Sequence, residues 1–220
     1  MPEAAASLPG QSGGPRLQAL ELTCEKGDRL LFHELEVAVA PGQILWVRGP
    51  NGTGKTSLLR ILAGLSLPTE GEVLWDGCPI RSQRWAFNAS LAYVGHRPGI
   101  KDHLSALENL TLMLRLAAGP GPDAPEQVLE RLGLGSRRHL AARLLSAGQR
   151  RRVALARLIL TQPALWILDE PLTALDRAGV GLVEDLLAAH AAAGGMAVLT
   201  SHHPLDLPEQ AVQHLELGNG

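Results

Sequence analysis

The stretch that most restricts what this chain can become is "ILWVRGPNGTGKTSLLRIL", an apolar run, a glycine-rich octapeptide and then leucines at helical spacing. Gly49, Pro50, Asn51, Gly52, Thr53, Gly54, Lys55 and Thr56 satisfy G-x-x-x-x-G-K-[ST], in the strand–loop–helix context that gives the pattern a mechanism. Glycines let the backbone aim successive N–H groups at phosphate oxygens, and the following helix adds the partial positive charge of its N-terminus. Lys55 then neutralises the outer phosphates, the Thr56 hydroxyl suits Mg²⁺, and Ser57 is expected to bind the nucleotide with the loop. Only three of the twenty basic residues are lysines, and one sits where a compact point charge is wanted. A glycine-rich turn of no function is the competing reading, and the flanking strand and helix weigh against it. Leu58, Leu59, Ile61, Leu62 and Leu65 are expected on the buried side of that helix.

With 220 residues, 45% hydrophobic and 19% charged, the chain suits one substantial soluble core with a small second lobe. A net charge of -2 and only 3% aromatics argue against a general nucleic-acid binder, which needs a basic surface or stacking platforms. Cys24 and Cys78 lie far apart without partners at metal-ligand spacing, as expected of reduced thiols. Residues 1–16 lack the basic and apolar regions of a secretory signal and read as a mobile tail ahead of a domain spanning 17–220. Charges, Gly or Pro interrupt every Leu/Ala-rich stretch before it reaches spanning length, so any membrane association is expected through a partner.

Strand-like patterns run from Leu17 to Val47, with turns at Gly27-Asp28 and Pro41-Gly42, and recur in "GEVLWDG" and "LAYVG". From about 97 to 160 the pattern is helical, opened by Ser105 and Glu108 at capping-box spacing and interrupted by "GPGPDAP". Alternation then resumes with "ALWILDEP", a helix around "GLVEDLLAAHAAA", "MAVLT" and "QHLEL". The order predicts an α/β chain: a parallel-sheet core, a small antiparallel sheet and an inserted helical subdomain. No internal repeat is visible, so one nucleotide site per chain is expected.

The strand of "ALWILDEP" ends in Asp169 and Glu170, at the carboxyl end of a strand where α/β sheets bind ligands. Asp169 is the expected Mg²⁺ anchor and Glu170 the general base for water. A solvated strand end explains the pair equally well in isolation; the phosphate loop tips the balance.

"LSAGQRRRVALARLIL" offers a second small-residue corner at a helix start, and here a resemblance becomes plain. "GPNGTGKT", "LSAGQ", "LWILDEP", "ALD" and "TSHH", in this order, resemble the nucleotide-binding subunits of ABC transporters, from about Leu17 to the C-terminus. The resemblance implies the RecA-like P-loop NTPase fold of ABC ATPases, with ATP and Mg²⁺ as ligands. It further implies that Ser146, Gly148 and Gln149 meet the γ-phosphate held by a second copy, in a head-to-tail pair burying two ATP molecules. Asp176 matches the loop communicating across that pair, and His202 the histidine that contacts the γ-phosphate, His203 being a bystander. Arg150, Arg151 and Arg152 are expected to face solvent or pair with acidic residues beside the interface, and Val153, Leu155, Leu158 and Ile159 to pack the helix into its lobe.

Two positions depart from that pattern. His96 stands where the family has a glutamine that senses Mg²⁺ and touches the membrane subunit; an imidazole can accept a hydrogen bond or bind metal. No aromatic falls near Lys26 to stack on adenine, so base recognition is weakened or falls to Phe32.

"GHRPGIKDHLSALENL" and "LWILDEPLTALD" are similar to the ATP-binding subunits of the cytochrome c maturation (Ccm) system. That implies a peripheral subunit on the cytoplasmic face of a bacterial inner membrane, docked to integral membrane subunits, whose hydrolysis supports haem delivery or export. Nothing in these residues is a haem pocket. The alternatives are the ATP-binding subunit of another transporter, or a non-transport ABC ATPase. The latter's long coiled-coil insertion or paired cassettes are missing from this sequence. A P-loop kinase or GTPase leaves "LSAGQ" unexplained.

Overall fold

Residue 14 and residues 16–116 and 123–218 are described by a computed structural model, organised around two sheets and three apolar clusters. The first sheet is antiparallel. Its long strands β1 (Leu17–Lys26) and β2 (Arg29–Val39) are joined at the Gly27-Asp28 turn, and β1 also pairs with β4 (Glu70–Trp75), which carries the two-residue β5 (Cys78–Pro79).

The second sheet is parallel throughout. It is built from β3 (Ile44–Arg48), β6 (Leu91–Val94), β7 (Leu165–Asp169), β8 (Met196–Thr200) and β9 (Val212–Glu216), in the order β6-β7-β8-β3-β9. Strands β7 and β8 are buried at every position, the reason their sequences are continuous apolar runs. Along β3 the side chains alternate between faces: Leu45 and Val47 join the cluster under the antiparallel sheet, Ile44 and Trp46 the one on the opposite side.

Helix α1 (Lys55–Leu62) packs Leu58, Leu59, Ile61 and Leu62 into the first cluster. Leu65, expected on that face, is 49% exposed, because the helix ends at Leu62 and Gly64 turns the chain with φ +68°. The short helix α2 (Arg84–Ala89) has no counterpart in the sequence reading. It contributes buried Phe87, edge-on to Trp75 at 5.7 Å.

The inserted region contains α3 (Ala106–Leu116), α4 (Pro125–Arg131) and α5 (Ala147–Thr161), which share their own cluster around Leu110, Leu129 and Val153. Ser105 and Glu108 form the expected reciprocal cap, and a buried Asn109 fastens the preceding loop through Lys101 and Leu104. Part of "GPGPDAP" lies outside the described residues, as do residues 1–13 and 15 of the expected tail. Arg16, assigned to that tail, belongs to the folded domain: it pairs with Asp76 at 2.6 Å and covers the Trp75 ring at 4.5 Å.

Helix α6 (Arg177–Ala192) closes the far face of the parallel sheet. Its His190 stacks flat on Trp166, 3.8 Å between centroids, with Nε2 3.2 Å from the Met196 carbonyl oxygen. Burial pushes the His190 pKa below its ordinary value, only partly offset by that carbonyl. The unfolded chain therefore binds the proton more tightly. This contribution to stability is complete above the unfolded pKa and is lost as pH falls through the folded one. Tm is expected to drop on acidification from about pH 7 to about pH 5.5, less steeply in His190→Phe, which keeps the stack but cannot titrate. Equal acid sensitivity in both proteins, measured by thermal melts, contradicts this.

Candidate active site

Strand β3 delivers the chain to Gly49 with φ +139°, and a Cβ there would sit 2.3 Å from the Leu217 carbonyl oxygen, so no other residue fits. The loop wraps back through Thr53, whose Oγ1 donates to the Pro50 carbonyl at 3.0 Å. Lys55 Nζ donates to the carbonyls of Gly49 (2.7 Å) and Pro50 (2.9 Å), which centres the ammonium over the loop. Gly54, at φ +98°, starts α1, and no acidic side chain in its first turn opposes the positive helix end.

Strand β8 separates β3 from β7, so the carboxyl ends of all three converge here. Thr56 Oγ1 donates to Asp169 Oδ2 at 3.0 Å. Thr200, at the end of β8, donates from Oγ1 to Asp169 Oδ1 (2.9 Å) while accepting from the Glu170 backbone N–H (2.9 Å). The sequence reading did not single out Thr200, whose role depends on the strand order.

Glu170 is held in the left-handed region, φ +51°, a cost of order 1–3 kcal/mol for a non-glycine residue that its surroundings must sustain. Its Oε2 accepts from the His202 backbone N–H at 3.3 Å. Oε1 is buried without a hydrogen-bond partner, with the His202 Nε2 3.5 Å away. Such an orphaned carboxylate oxygen is a ready proton acceptor for water.

Gly54, Lys55, Thr56, Asp169, Glu170 and His202 line one cavity of about 630 Å³, together with Asn51, Gly52, Ser57, His96 and Thr173, whereas Gly49, Pro50 and Thr53 shape the loop from outside it. Lys26 at the end of β1 and Arg29 and Leu31 of β2 also line the cavity. Phe32, the expected alternative for base recognition, does not line it; the ring is buried beneath Gly54. Among the described residues no three His, Cys, Asp or Glu side chains form a metal cluster; His96 and Asp169 both line the cavity. Thr56 and Asp169 are hard oxygen donors already within 3.0 Å of each other, a set that fits Mg²⁺ completed by phosphate oxygens.

Ser146 and Gly148 do not line this cavity. Ser146 caps α5: its Oγ accepts from the Gln149 N–H (3.2 Å) and its N–H donates to Gln149 Oε1 (3.0 Å). Gly148 is required by packing, since a Cβ would approach the Ala174 carbonyl to 2.5 Å. The helix start is thereby pressed against the loop that ends in Asp176. Asp176 caps α6 through the Gly179 N–H (2.9 Å) and pairs with Arg152; the cap and the guanidinium hold its pKa below the ordinary carboxylate value.

The arginine run is not a uniformly solvated start. Arg152 pairs with acidic Asp176 as expected, but Arg151 is 3% exposed. It lies on the helical face of Leu155 and Leu158, four and seven positions on, and its guanidinium is spent on backbone carbonyls.

The family model described as "ABC transporter" matches residues 32–173. The chain is 47% identical over 207 residues, 92% of its length and 99% of the relative's, to the cytochrome c biogenesis ATP-binding export protein CcmA of Nitrosospira multiformis. It is 52% identical over 187 residues, 84% of the chain and 90% of the relative, to that of Methylococcus capsulatus. Among solved structures, a dimeric bacterial ABC transporter cassette has a TM-score of 0.76 at 23% identity, covering 91% of this chain and 94% of its own. A dimeric cassette bound to ADP and phosphate has a TM-score of 0.77 at 22% identity, covering 91% and 96%. The chain belongs to the ABC transporter ATP-binding family, as an ATPase of the cytochrome c biogenesis ATP-binding export group.

Proposed function

We propose that two copies of this chain close head to tail over two ATP molecules on the cytoplasmic face of a bacterial inner membrane, docked to integral membrane subunits. Their hydrolysis powers the haem-delivery or export step of c-type cytochrome maturation. The observation that carries the paired site is that Ser146 and Gly148, an anion-ready helix start, lie outside the cavity formed by the chain's own phosphate loop. A two-fold arrangement gives that corner a phosphate to meet.

Within one site, the loop N–H groups and Lys55 hold the β- and γ-phosphates, and Glu170 Oε1 takes the proton of the attacking water. His202 donates its backbone N–H to Glu170 and stands beside the terminal phosphate. Thr56 and Asp169 hold Mg²⁺, which supplies neutralisation of phosphate charge. No helix among the described residues is long and apolar enough to cross a membrane, in keeping with attachment through partners. Isolation from native membranes, followed by identification of co-purifying subunits and an absorption spectrum for haem, tests this. Membrane subunits of the cytochrome maturation machinery are expected; those of an unrelated transporter contradict it.

A further inference from the structure

The Arg151 guanidinium is the meeting point of two loops that approach the site from different parts of the sequence. Nη2 donates to the carbonyls of Asp169 and Glu170, each at 2.7 Å, and Nε to that of Pro171 at 3.1 Å. Nη1 donates to the Gly95 carbonyl at 2.7 Å, with the His96 carbonyl a longer 3.5 Å away. The group is buried, and a buried cation with this many carbonyl partners is geometrically fixed.

A guanidinium is a rigid planar fork, so its two sides cannot move independently. One side holds the peptide of the strained Glu170, whose N–H is pinned separately by Thr200. The other holds the loop that presents His96 to the cavity. The stem belongs to α5, the helix capped by Ser146. We infer that Arg151 is a positioning residue that links the His96 loop to the Glu170 carboxylate, so that displacement of either loop is transmitted to the other. Partner contact at the His96 loop then sets the aim of the carboxylate, and nucleotide in the cavity sets the position of that loop. A lysine ammonium can satisfy some of these carbonyls but lacks the fork that makes them move together.

The inference rests on the assignment of Glu170 as base for its kinetic part only. The test is hydrogen exchange on the full chain, with and without magnesium-ATP, comparing the parent with Arg151→Lys and with Arg151→Gln in case the lysine variant folds poorly. In the parent, ATP is expected to protect both residues 49–57 and residues 95–99. In the variants, protection at 49–57 persists while the response at 95–99 is lost, and kcat falls at least about tenfold with KM within about twofold. If Glu170 is not the base, the exchange response is still lost while kcat holds, which separates the two failures. Protection at 95–99 that follows ATP equally in the variants overturns the inference. So does a uniform loss of protection through β7, β8 and α5, which marks a strut with no linking role.

Discussion

Replacing Glu170 with Gln is expected to cut ATP turnover about a hundred- to ten-thousand-fold, the usual share of a general base, while leaving ATP binding intact. The amide keeps the size of the carboxylate and an oxygen that can accept from the His202 N–H, and the backbone of residue 170 is still held by the Thr200 hydroxyl at its N–H and Arg151 at its carbonyl. What is lost is the buried Oε1 without a hydrogen-bond partner, the proposed proton acceptor. ATP that binds and is not hydrolysed should also hold two copies together, so the variant is expected as a long-lived dimer in size-exclusion chromatography with ATP. Hydrolysis at the parent rate removes Glu170 from the base role.

Ser146→Arg is the second large effect. Ser146 lies outside the chain's own cavity, so binding of ATP to the phosphate loop of the same chain should be unchanged in equilibrium titration. Hydrolysis should fall close to the level of Glu170→Gln, because the arginine would fill the corner proposed to meet the other copy's γ-phosphate. Loss of the cap contributes only about 1 kcal/mol to the stability of α5, which has eight buried side chains to hold it. A Tm near that of the parent with hydrolysis abolished separates the two causes; full hydrolysis by this variant contradicts the placement of Ser146 at a phosphate.

The parts legible in the sequence are those whose partners are close along the chain. The phosphate loop is eight consecutive residues between a strand and a helix, and Asp169 and Glu170 follow directly on a buried strand. The reciprocal cap of Ser105 and Glu108 spans three residues. What sequence hid depends on which strands become neighbours. Thr200 reaches Asp169 from 31 residues away because β8 lies beside β7. Arg151 looks like one member of a solvated run until Gly95, 56 residues earlier, is folded against it. Phe32 is near the site in space but faces the core beneath Gly54, a matter of which face of β2 each residue occupies. Leu65 fits the helical period, and the helix stops before reaching it. Helix α2 is six residues long with no side-chain cap, too short for periodicity to register.

In the proposed dimer each catalytic site takes its phosphate loop from one copy and its serine–glycine corner from the other. Mixing Lys55→Ala chains with Ser146→Arg chains tests it directly, since the first variant lacks a working phosphate loop and the second a working corner. Each variant alone should be inactive, and a mixed pair should contain one site with both parts intact. ATP hydrolysis is therefore expected to appear on mixing, at up to about a quarter of the parent rate for random pairing of equal amounts. Substantial hydrolysis by Ser146→Arg alone, or none recovered in mixtures shown to contain the mixed pair, would rule out a site shared between two copies.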